Sequence, residues 1–142
     1  MDDVVLGKAE IIERCVGRVR EVHRGDRDAF LAELTRQESV LLNLQRACEA
    51  AIGLGMHLVR VDRLGIPKES RHAFDLLERS GFLPNDLAKS LRAMVGFRNV
   101  AVHGYRRLDL AVVDAIVTHH LDDLLAFASL ALRRDAGAVP SS

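Results

Sequence analysis

NDLAKSLRAMVGFRNVAVHGY, residues 85–105, runs a helical apolar pattern into a knot of polar groups. Leu87, Leu91, Met94, Val95 and Val102 recur three and four residues apart, the spacing of one helix face. Asn85, behind Pro84, is placed to cap the first turn. His103-Gly104 close the stretch, and glycine suits the left-handed residue that ends many helices. Arg98, Asn99, His103 and Tyr105 gather at that C-terminal end.

The same periodicity extends on both sides. Upstream, Val4, Val5, Ile11, Ile12, Cys15, Val16, Val19 and Val22 trace a first helix, with Asp2 or Asp3 as its cap and Gly25 just past its end. Asp26 caps a short turn or helix through Phe30 and Leu34. A long helix follows over 38–61, its apolar stripe running from Val40 to Val59. Within it, Gly53 and Gly55 imply either a close backbone neighbour or a bend. Leu64-Gly65-Ile66-Pro67 is a stop, and a short amphipathic helix spans 70–79 before Gly81. Downstream, Asp109 precedes a last helix through Leu110, Val117, Leu124 and Leu130. The two long C-terminal helices are expected to pack as a hairpin whose junction, Gly104 to Leu108, lies at one end of the molecule. The fold expected is all-α, an antiparallel bundle of five to six helices forming one domain over residues 1–135, with a frayed tail over 136–142.

With 142 residues, 49% of them hydrophobic, the chain is long enough to bury a core without staples. Lys plus Arg balances Asp plus Glu at 20 each, so no global basic field drives nucleic-acid binding and any such contact needs a local patch. Arg92, Arg106 and Arg107 are the nearest arginines that could form one, although ordinary surface arginine explains them equally. Cys15 and Cys48 lie inside apolar helical patterns and read as reduced, buried thiols. The acidic start Met1-Asp2-Asp3 does not resemble a signal peptide, and no apolar run has the length to cross a bilayer. A cytoplasmic protein without membrane contact is expected. His119 and Asp123 are four apart with His120 adjacent, but no further ligands cluster, so no metal or other cofactor is expected. His23, His57 and His72 have no partner identifiable by spacing.

Chemistry concentrates at the end of the quoted stretch. Histidine titrates near neutrality and moves protons. Arginine is a permanent cation whose fork matches phosphate oxygens. RNA carries its own nucleophile, the 2′-hydroxyl, so a base, an acid and a cation suffice for cleavage without metal. By spacing alone the pair also describes a solvated helix cap. Asn99 and His103 share a face. Arg98 and His103, five apart, sit roughly 140° round an ideal helix. Either the helix end distorts, or a second copy completes the site. Glu49 can serve Arg98 or another arginine of the bundle; spacing does not separate these.

Arg98-x4-His103-x-Tyr105 resembles the RX4HXY signature of HepT-like proteins, a branch of the HEPN superfamily. Gln45-Arg46-Ala47-Cys48-Glu49-Ala50-Ala51, Phe74-Asp75-Leu76-Leu77 with Gly81, Met94-Val95-Gly96-Phe97-Arg98-Asn99 and Leu121-Asp122-Asp123-Leu124 also match in order, so the resemblance covers nearly the whole chain. It implies an all-helical homodimer whose two motifs face a shared cleft. It further implies a metal-independent endoribonuclease toxin, encoded with a small MNT-type nucleotidyltransferase antitoxin. Carried over, Arg98 and His103 are the catalytic pair and Asn99 supports them. Tyr105 receives AMP, whose bulk and negative charge beside the pair would block an RNA phosphate. The alternative is a HEPN module that binds nucleotide or RNA, or docks a nucleotidyltransferase, without cutting.

Overall fold

The computed structural model describes residues 2–104 and 108–137. Seven helices account for them: α1 (Asp3–His23), α2 (Arg27–Ala32), α3 (Leu34–Val61), α4 (Ser70–Arg79), α5 (Asn85–His103), α6 (Leu110–His119) and α7 (Leu121–Gly137). No strand occurs among the described residues. The expected all-α class holds, with one or two more helices than the apolar pattern implies. Six-residue α2 is a true helix, begun by Asp26, whose carboxylate accepts from the Ala29 N–H at 3.0 Å. The expected last helix is two: it breaks at His120, which stands outside helical geometry at φ −124° and ψ −2°. Neither proline nor glycine marks this break. The acidic pair Asp122 and Asp123 in the first turn of α7 does mark a helix start, since carboxylates favour the positive end of the dipole.

α3, about 42 Å long, is the axis of the molecule. It packs most extensively on α1 and also contacts α2, α4, α5 and α7. Its stripe buries Leu44, Leu54 and Leu58 completely against Ile12 and Val19 of α1. Phe74 of α4 meets Phe127 of α7 edge-on, ring centroids 5.6 Å apart. Gly55 exists for that ring: a Cβ there would lie 3.0 Å from Phe74 Cε1. Gly53 likewise admits the Lys8 side chain, so both glycines accommodate side chains rather than a backbone or a bend. α7 packs chiefly on α1 and less on α5, so the expected C-terminal hairpin is a minor contact.

Polar groups tie the helix ends. Asp2 caps α1, accepting from Val4 N–H at 2.9 Å, and its other oxygen accepts from His57 Nε2 at 2.5 Å. The His57 bond, reinforced by the cap, holds the Asp2 carboxyl below its ordinary range. His23, 3% exposed, donates from Nε2 to Asp114 of α6 at 2.6 Å, while its Nδ1 accepts from the Gly25 N–H at 3.1 Å. That second bond fixes the proton on Nε2. Arg134 pairs with Asp62 side-on, Nε and Nη2 each donating to one carboxylate oxygen, and joins the ends of α7 and α3. α7 stays helical through Ala136 and Gly137, and positions 138–142 lie outside the described residues. Among the described residues no helix is long and apolar enough to cross a membrane.

Candidate active site

α5 positions both residues singled out by spacing. It starts behind Pro84, and Asn85 is its first helical residue rather than its cap; the Asn85 amide instead donates to Glu78 at 2.7 Å. Asp86 in the first turn and His103 in the last complement the helix dipole. Gly104 closes the helix, its N–H donating to the Val100 carbonyl at 3.0 Å. It does so at φ 159° and ψ 117°, outside the left-handed well expected of it. The buried face near the C-terminus is Phe97 and Ala101, whereas Val102 is 55% exposed.

Arg98 is held on every edge. Nη1 donates to both oxygens of Glu49, at 3.1 and 3.0 Å. Nε donates to the Asn99 side-chain oxygen at 2.9 Å, and Nη2 to the Ser70 hydroxyl at 3.3 Å. The Arg98 side chain is 18% exposed and that of Glu49 44%, so the pair lies at the edge of the bundle. A planar fork satisfied by three separate side chains has almost no rotational freedom, which is the preorganisation that transition-state stabilisation needs. Asn99, expected only as support, orients Arg98 directly. Glu49 and Ser70 come from α3 and α4. Glu49 was one of two options by spacing, and Ser70 gave no signal beyond opening a helix.

His103 is exposed and makes no hydrogen bond to another described residue. α5 remains helical through it, so the helix end does not distort to bring it round to Arg98. Tyr105, Arg106 and Arg107 lie outside the described residues. Arg92 is taken up by α4: Nη1 donates to Asp75 at 3.1 Å and to Glu78 at 2.9 Å. Bonds from Asn85 and then Arg92 hold the Glu78 carboxyl below its ordinary range. Asp123 accepts from Ser90 at 2.6 Å and from His120 at 3.1 Å, while no group of three metal-ligating side chains forms among the described residues.

Behind Glu49, burial pushes the Cys48 thiol up to about 12; the Glu49 carboxylate adds to the shift and Arg98 opposes it. The expectation of an inert thiol becomes testable. Iodoacetamide at pH 8 should leave Cys48 unlabelled in the native protein and label it fully in denaturant, read by peptide mass. Rapid native labelling would contradict this burial.

The bundle places an anchored arginine and an exposed histidine on one helix. The HepT-like ribonuclease family matches residues 12–131, and the chain belongs to that family. It is 43% identical over 127 residues to the mRNA nuclease HepT of Shewanella oneidensis, covering 89% of this chain and 95% of that protein. Two solved structures superpose on it. One is a tri-AMPylated Shewanella oneidensis HEPN toxin in complex with MNT antitoxin, with a TM-score of 0.87 and 41% identity over 94% of this chain and 99% of that one. The other is a toxin–antitoxin with AMP-PNP, with a TM-score of 0.87 and 40% identity over 93% and 99%.

Proposed function

We propose that the chain is a metal-independent endoribonuclease toxin, acting as a cytoplasmic homodimer and silenced by a nucleotidyltransferase antitoxin. The observation that carries this reading is the Arg98 guanidinium, locked by Glu49, Asn99 and Ser70 on the helix that presents an exposed His103. In the reaction the RNA 2′-oxygen attacks the adjacent phosphorus and the bond to the 5′-oxygen breaks. A base takes the 2′-hydroxyl proton and an acid gives one to the departing 5′-oxygen, leaving a 2′,3′-cyclic phosphate and a 5′-hydroxyl. His103 supplies proton transfer. Arg98 meets the charge that builds on the non-bridging oxygens, the task a metal would otherwise perform. The angle of roughly 140° between the two positions on one straight helix supports a shared cleft, in which a second copy provides the complementary residue.

Tyr105 is the proposed acceptor of AMP. Its oxygen bonds the α-phosphorus of ATP and pyrophosphate leaves. Arg106 and Arg107 beside it are proposed RNA contacts; Arg92 is not retained, because two carboxylates, Asp75 and Glu78, outweigh its single charge. Incubation with ATP and the partner nucleotidyltransferase should add AMP mass to the wild type and stop RNA cleavage, while Tyr105→Phe should escape both. Equal modification and silencing of Tyr105→Phe would remove Tyr105 from the account.

A further inference from the structure

Lys89, Gly96 and His103 follow one another at intervals of seven along α5. Such a row drifts only about 20° per interval and climbs about 10 Å each time, so the three share the face that carries His103. α4 runs antiparallel beside α5 here, from Ser70 at Arg98 through Arg71 at Gly96 to Glu78 at Asn85. Arg71 Nη2 lies 2.8 Å from the point where a Cβ on residue 96 would stand, so glycine is what lets the guanidinium lie against the helix. Arg71 Nε donates to the Arg92 carbonyl at 3.5 Å.

Arg92, eleven residues before His103 and so on the same side of α5, is already matched by two carboxylates of α4, Asp75 and Glu78. Arg98 is paired with Glu49. Among the described residues neither Arg71 nor Lys89 has a carboxylate partner, and both are exposed. Arg71 and Lys89 therefore bring positive charge without a carboxylate of its own to the side of α5 that carries His103, next to the Arg92, Asp75 and Glu78 cluster. Cations strung along a row suit an extended polyanion; a small anion needs donors that converge on one point.

We propose that Arg71, laid across Gly96, and Lys89 beyond it hold backbone phosphates of a single-stranded RNA running along α5 towards His103. The inference rests on the ribonuclease reading and deepens it. A single strand is required because the 2′-oxygen must swing in line with the leaving 5′-oxygen, which a paired A-form backbone prevents. Phosphate contacts of this kind set register without reading bases.

The probe is a fluorescent 2′-O-methyl oligoribonucleotide, which cannot be cut, titrated by anisotropy across a salt series, with cleavage of ordinary RNA run alongside. Arg71→Ala should weaken binding about five- to tenfold near 0.1 M salt and reduce the log–log salt slope by about 0.7, one single-strand phosphate contact. Arg71→Lys should keep the slope. Gly96→Ala should weaken binding in the same sense by displacing the guanidinium, yet not lower Tm, since alanine is the better helix former. Arg92→Ala should leave the slope unchanged. A wild type that binds and cuts RNA beside an Arg71→Ala variant of unchanged slope would overturn the inference alone. Unchanged RNA binding with lost affinity for the nucleotidyltransferase would also overturn it, making Arg71 a protein-docking residue. A wild type that neither binds nor cuts RNA would bring down the ribonuclease reading and this inference together.

Discussion

Arg98→Lys should lower RNA cleavage by about two to three orders of magnitude, the typical cost of removing one transition-state donor. The charge survives the substitution, so a purely electrostatic role would lose little. What disappears is the fork. One ammonium cannot donate together to both oxygens of Glu49, to Asn99 and to Ser70, so the fixed position of the charge is lost. Stability should change by less than about 1 kcal/mol, because the pair lies at the surface and water replaces the lost bonds. The two readouts thus separate. Steady-state cleavage with urea unfolding on the same preparations checks this, and Arg98→Lys within threefold of wild-type kcat would show that the anchored fork is not what stabilises the transition state.

His23→Leu should destabilise the fold by about 3–5 kcal/mol, because it strands the buried Asp114 carboxylate without its donor. Asp114→Leu should cost less, about 1–3 kcal/mol, since it strands one neutral N–H. The double variant should be more stable than His23→Leu alone, because it removes the carboxylate that the single change leaves buried without a partner. Against a total of about 5–15 kcal/mol, the first variant is marginal. Denaturant midpoints for the three proteins test this, and strictly additive losses would mean that the pair is not coupled.

The residues that were legible in the sequence lie close together along it. The apolar spacing marks α1, α3, α4 and α5, and Asp2, Asp26 and Asp109 are the caps that short-range rules pick out. Arg98 and His103 stand out because both sit on one helix. What was not legible pairs residues far apart. Glu49 and Arg98 are 49 positions apart, His23 and Asp114 are 91, and no periodicity links members of different helices. Arg71 on Gly96 is of the same kind: the glycine is visible, but what lies on it comes from α4. The His120 break was hidden by an apolar repeat that runs through it, and Val102 was read as core because spacing does not say where a helix leaves the bundle. The ion pairs of Arg92 were hidden too, since a free cation and a paired one look alike until the carboxylates of α4 are placed beside it.

The most direct measurement is cleavage of total RNA by the purified, unmodified protein in excess EDTA, beside His103→Ala. The account predicts fragments ending in 2′,3′-cyclic phosphate from the wild type and a loss of about two to four orders of magnitude in the variant. Intact RNA from the wild type, or equal cleavage by both proteins, would contradict it.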